Sequence, residues 1–297
     1  GSTFILAVDK QEYFMRNKWI LIVVLLVMTI VTAYLMGSDD PGLALGSTNS
    51  RLASGGSILS ADSQIRADSY VTDYIVDKQN QIPFKDTHLN EQRPDTEAGL
   101  SESVAIGTVN RDTVDYFRFL QTHFNEGSSL QENTALIHQH LLTTLPKDKG
   151  EELFALYQKF VDFEFSVGEK TKDWKMPESA NETLALIKKM QQLQQQHFGV
   201  ETADLLFGGE LKTMEYTARR SGILNDRNTP GAAKEALLNK LAVDMFGTDA
   251  DKLDAQKNPY NLFEEKLLIY RNDLDKLGPT EREKMINDLR ARYLPNK

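Results

Sequence analysis

Apolar residues recur at helical spacing through most of the second half of the chain and at no regular spacing before it. The change comes at RDTVDYFRFL, Arg111 to Leu120, where Val114, Phe117, Leu120 and then Phe124 fall on one helical face after a long polar stretch. The same period predicts helices over about 111–125, 129–144, 149–167, 179–198, 201–207, 210–221, 230–246, 259–277 and 280–294. Punctuation agrees with the period. Ser129-x-x-Glu132, Ser179-x-x-Glu182 and Thr280-x-x-Glu283 have the form of capping boxes, and Thr229-Pro230 and Asn258-Pro259 place proline at a first helical position. Gly168, Gly199, Gly222, Gly247 and Gly278 each follow an apolar run, where a helix stop is expected. No hairpin signal competes, so the class is all-α, with about nine helices from 110 to 297.

The stripes in the middle of this set are thin. ETLALIKKMQQLQQQHF carries Leu184, Ile187, Met190 or Gln191, Gln194 and Phe198 along one face, so its second half shows glutamine where a globular core wants leucine. Such helices suit an extended arrangement, with small helical subdomains at each end, or a partner that supplies the missing apolar surface.

One segment has no polar face at all. WILIVVLLVMTIVTAYLM, Trp19 to Met36, is uncharged over a length of about 27 Å as a helix, enough for a hydrocarbon core. Lys10, Arg16 and Lys18 precede it and Asp39 and Asp40 follow, which predicts a single-pass anchor with its N-terminus in the cytoplasm and the rest exported. A cleaved signal peptide is the competing reading, but its apolar core is usually shorter and followed by a small-x-small site, and here the exit reads AYLMGSDD. Gly1-Ser2 and the next twelve residues read as a tag or leader ahead of a natural start at Met15.

Composition then divides what remains. Residues 37–109 are rich in Gly, Ser, Asn, Asp and Gln and read as an acidic, flexible linker whose roughly 70 residues span on the order of 45 Å. Two islands interrupt it, YVTDYIV (70–76) and QIPF (81–84), either a strand pair or docking segments. The net charge is −9 and no basic stripe exists, which argues against nucleic acid. There are no cysteines, hence no disulfides, thiolate metal sites or cysteine nucleophiles.

Candidate chemistry is sparse. His138 and His140 lie two apart, about 200° around a helix, and cannot share one metal ion. LFGGEL lacks the Lys-Ser/Thr of a phosphate loop and reads as a helix-to-helix turn. No carboxylate pair stands in a setting that would separate its pKa values. The residues point to a binding protein rather than an enzyme, with no metal and no cofactor.

Several motifs resemble those of lipase-specific foldases, the membrane-anchored steric chaperones of secreted bacterial lipases. That family opens its helical domain with R-x-x-F-D-Y-(F/C)-L-S-A-L-G-E. The chain matches at Arg111, Asp115, Tyr116 and Phe117, has Val114 for the family Phe, and reads RFLQTHFNEG where L-S-A-L-G-E is usual. HLLTTLP followed by ELFALYQKFVDFEF, then HFGVETADLLFGGELKTMEY, matching at Phe198, Gly199, Ala203, Leu206, Phe207, Gly208 and Glu210, come in the family's order. Glu281-Arg282-Glu283 and Leu289-Arg290-Ala291-Arg292 close the pattern.

The resemblance implies a chaperone anchored in the bacterial inner membrane through residues 19–36. It would hold a secreted lipase 1:1 in the periplasm, promote its folding without ATP and so serve lipid degradation. Arg111, Asp115, Tyr116 and Phe117 would then act in client binding and activation. The alternative is an anchored helical adaptor or scaffold of an envelope or secretion complex. Each motif also has a plainer reading. Phe198-Gly199 and Phe207-Gly208 suit core aromatics followed by turn glycines, and Arg111 and Asp115 form an i,i+4 pair. Tyr116 lies off the Val114 to Leu120 stripe, is expected outside the core, and is therefore the strongest functional candidate.

Overall fold

A computed structural model describes residues 66–75, 109–255 and 257–294. Among these residues there is no β-strand. The helices are α1 (Arg111–His123), α2 (Leu130–Thr144), α3 (Lys147–Lys170), α4 (Ala180–Phe198), α5 (Val200–Ala203), α6 (Gly209–Asn225), α7 (Gly231–Phe246), α8 (Lys252–Ala255), α9 (Pro259–Ile269), α10 (Arg271–Leu274) and α11 (Pro279–Tyr293). A 3₁₀ turn, Ala67–Val71, precedes them. Residues 1–14, the apolar segment Trp19 to Met36 and the island QIPF lie outside the described residues. Among those described, no helix is long and apolar enough to cross a membrane.

All nine expected helices have a counterpart, but the punctuation was used differently in places. The serine caps hold: Ser129 and Ser179 accept from the N–H of Glu132 and Glu182, both at 3.2 Å. Each glutamate reaches back one residue further than a capping box requires, to the N–H of Ser128 (2.6 Å) and of Glu178 (2.7 Å). Thr280 is no cap, because Gly278 is the N-cap and Pro279 begins α11. Pro230 is likewise the N-cap of α7 rather than its first residue. Asn258 and Pro259 behave as expected, with Asn258 Oδ1 accepting from Asn261 N at 2.8 Å.

Gly199 and Gly247 do end helices, with φ of 82° and 57°, a region where a side chain is strained. Gly168 and Gly222 do not: α3 continues to Lys170 and α6 to Asn225. LFGGEL is not a turn between helices either. Asp204–Gly208 forms a π turn that joins α5 to α6 without a break, and Gly209 stays right-handed at φ −61°. The wider turn absorbs an extra residue within the helix while burying Leu206 and Phe207 together.

The chain forms two compact units. In unit 1, described over 109–176 and 188–211, α2 and α3 pack as a hairpin joined at Pro146. Gly150 makes their approach possible, since a Cβ there would stand 2.9 Å from the Leu141 carbonyl oxygen. Its core runs through Phe117, Leu120, Leu141, Tyr157, Phe160, Leu193 and Phe207. Gln194, on the thin face of α4, is buried with it, and its Oε1 makes no hydrogen bond.

Unit 2, described over 66–75, 177–187, 212–255 and 257–294, has its own core of Ala67, Tyr70, Val71, Ile223, Leu224, Leu241, Met245, Phe246 and Ile269. Residues 66–75 fall inside the stretch read as linker and carry most of the first island, yet they are packed into this core.

Candidate functional site

The site is built on the first turn of α1. Asn110 caps it by accepting from Asp112 N at 2.9 Å, while its own N–H donates to Thr113 Oγ1 at 3.1 Å. This Asn-x-x-Thr box is a helix-start signal legible in the sequence itself. Val114, Phe117 and Leu120 are buried as their spacing requires. Phe117 sets its edge against Tyr157 and tilts onto Phe160, both with ring centroids at 5.4 Å.

Tyr116 corrects the expectation made for it. It is 1% exposed, belongs to the same core, and stacks with Phe119 at 6.4 Å. The single-stripe reading failed because α1 is enclosed on more than one face.

Arg111 joins two motifs 99 positions apart. Its Nη1 lies 3.2 Å from Glu210 Oε2 and its Nε 3.9 Å from Asp115 Oδ2, with all three side chains 13 to 19% accessible. The Nε atom is shielded from solvent and makes no hydrogen bond. The cation therefore sits between two carboxylates at the rim of the core, with Tyr116 and Phe117 on the same turns of the helix. The three side chains are mostly shielded, so removing one partner would strand the charge of the other at the rim of the core and cost stability.

Glu210 is positioned by the π turn. Asp204 lies over Gly208, where a Cβ would meet its Oδ1 at 2.3 Å, so a side chain at 208 would displace the Asp204 carboxylate. Phe198 and Phe207 close a triangle with Phe163, with centroids 5.4 to 5.5 Å apart. Phe198, Gly199, Phe207 and Gly208 are thus core and turn residues, and Glu210 alone of that group reaches the Arg111 cluster.

Further along α1, opposite Gln121, burial pushes the Glu164 carboxyl of α3 above its ordinary range, against a hydrogen bond from Gln121 Nε2 (2.7 Å) and the charge of Arg118. Among the described residues no group of His, Asp and Glu converges as a metal site.

Residues 156–296 match the family model of the proteobacterial lipase chaperone protein. Over this stretch the chain is similar to the lipase chaperone family. The family is one of folding helpers and not of enzymes, and its client is a lipase. No curated protein and no solved structure gives a significant match. The match begins inside α3, so it contains Phe198, Gly199, Phe207, Gly208 and Glu210 but not α1. The Arg111 to Glu210 ion pair ties the α1 motif to the lipase chaperone segment.

Proposed function

We propose that the protein is a membrane-tethered periplasmic chaperone that binds one lipase molecule and lowers the barrier to its active fold without ATP, using the surface around Arg111, Asp115 and Glu210 with Tyr116 and Phe117 packed beneath it. Contact between Arg111, outside the family match, and Glu210, inside it, is the observation that carries this reading. The tether rests on the apolar segment Trp19 to Met36 and the charges that flank it. Acting without a nucleotide, such a chaperone must bind the transition state or a near-native intermediate more tightly than the unfolded lipase, the differential binding that underlies catalysis.

The test is refolding of denatured lipase with the full chain in detergent, reading recovered activity. Arg111→Lys and Glu210→Gln should each recover at least tenfold less activity at a temperature where circular dichroism shows both variants folded. Full recovery with both variants would exclude the cluster, and no gain over the lipase alone with the unaltered chain would exclude the function.

A further inference from the structure

Residues 66–75 are held by an unusual set of contacts, nearly all of them to main-chain atoms. Arg219 donates from Nη1 to the carbonyls of Thr72 (2.8 Å) and Tyr70 (3.3 Å) and from Nη2 to that of Asp73 (2.8 Å). Its Nε and Nη2 also donate to Glu215 Oε1 at 2.9 and 2.7 Å, and the same oxygen accepts from Ile75 N at 2.7 Å. The two charged side chains are 4% and 0% accessible. At the other end Asp226 Oδ2 accepts from Ala67 N at 3.0 Å.

Two shape features complete the groove. Tyr70 lies flush on Gly222, where a Cβ would come within 2.4 Å of its ring. Tyr74 covers the Arg219 guanidinium, 4.9 Å from ring centre to Cζ.

A buried ion pair is tolerated only when its remaining donors and acceptors are satisfied. Here it is the segment 66–75 that satisfies them. Glycine inside α6 costs about 1 kcal/mol relative to alanine, and its return is the space that Tyr70 fills.

We propose that residues 66–75 are a latch that fastens the membrane-proximal chain to unit 2. The groove formed by Glu215, Arg219, Gly222 and Asp226 is its receptor, so a pull on the tether is borne by unit 2 and not by α1. From the end of the apolar segment to the latch run the 29 residues 37–65, fewer than half of those read as linker. A second run, the 33 residues 76–108, separates the latch from Val109 and the helix that carries Arg111. The latch itself stands on contacts within the chain and is independent of the lipase. Its role as the point of load rests on the membrane-anchored reading.

The test places a protease site between Asp95 and Thr96 of the full chain in detergent and cuts it. The N-terminal fragment should remain with the C-terminal one through affinity capture, and the Tyr70→Ala, Val71→Ala double variant should retain it at least tenfold less. In the uncut chain the amides of Ala67 and Ile75 should exchange with solvent far more slowly than in a free peptide, a readout that does not depend on how the variants fold. Release of the fragment from the cut unaltered chain, undiminished retention in the double variant, or free-peptide exchange at both amides would each overturn the latch. None of these outcomes bears on lipase refolding, which is measured separately.

Discussion

At 1% exposure Tyr116 is as much a core residue as Phe117 beside it, so removing it mixes two effects that need separating. Tyr116→Ala should cost about 3–5 kcal/mol in urea unfolding, the range for emptying a large buried site. Tyr116→Phe keeps the ring and should cost less than about 1.5 kcal/mol. If the hydroxyl takes part in activation, the Phe variant will unfold almost normally and still refold less lipase. Normal refolding would leave Tyr116 a purely structural role. The stripe of Val114, Phe117 and Leu120 could be read from spacing alone because spacing is local. Burial of Tyr116 could not, since it depends on what packs against a second face. The meeting of Arg111 with Glu210 was equally hidden, because each had a sufficient local explanation and nothing in the sequence joins positions 99 apart.

Among the helices, Gly168 and Gly222 make a controlled pair. Both lie inside a helix and both look like stops in the sequence. A Cβ at Gly168 would meet nothing within 4 Å, so Gly168→Ala should raise stability by about 0.5–1 kcal/mol through the lower entropy cost of alanine. Gly222→Ala should lower it despite the same gain, because the new methyl would press into the Tyr70 ring. Thermal unfolding of the two variants would show shifts of opposite sign, and shifts of one sign would refute the packing of Tyr70. Helix existence was legible because 3.6-residue periodicity and serine caps are written within a few positions. The stops were less legible, since glycine serves both as a left-handed terminus, as at Gly199, and as a slot for another side chain, as at Gly222.

For the molecule as a whole, unit 2 should carry a distinct alkaline signature. Burial holds the Lys234 ammonium down at about 8, while its Nζ donates to the Leu224 carbonyl at 2.7 Å. Between pH 8 and 10.5 the unfolded lysine keeps a proton that the folded one has lost, so stability rises with pH across that window, by on the order of 3 kcal/mol. Tyr74 and Tyr270 act in the opposite sense. Burial, with Asp244 beside Tyr74 and Glu235 beside Tyr270, pushes both up to about 12. Unfolded tyrosines lose protons near pH 10 that the folded ones keep, so stability falls from about pH 10 to 12. Urea unfolding followed by circular dichroism should therefore pass through a maximum near pH 10. Lys234→Met should remove the rise below that maximum and leave the fall above it. A flat profile from pH 8 to 10 in the unaltered chain would contradict the burial of Lys234.

The latch also fixes an order of events in the chaperone's own assembly. The hydrogen bonds that hold it join residues 140 to 159 positions apart, so completing unit 2 means closing a loop of that length, at an entropic cost of roughly 4 kcal/mol. As the chain emerges from its N-terminus, Tyr70 appears long before Gly222 and Arg219 exist to receive it. Unit 2 is therefore the part of this folding helper that must wait longest for its own fold.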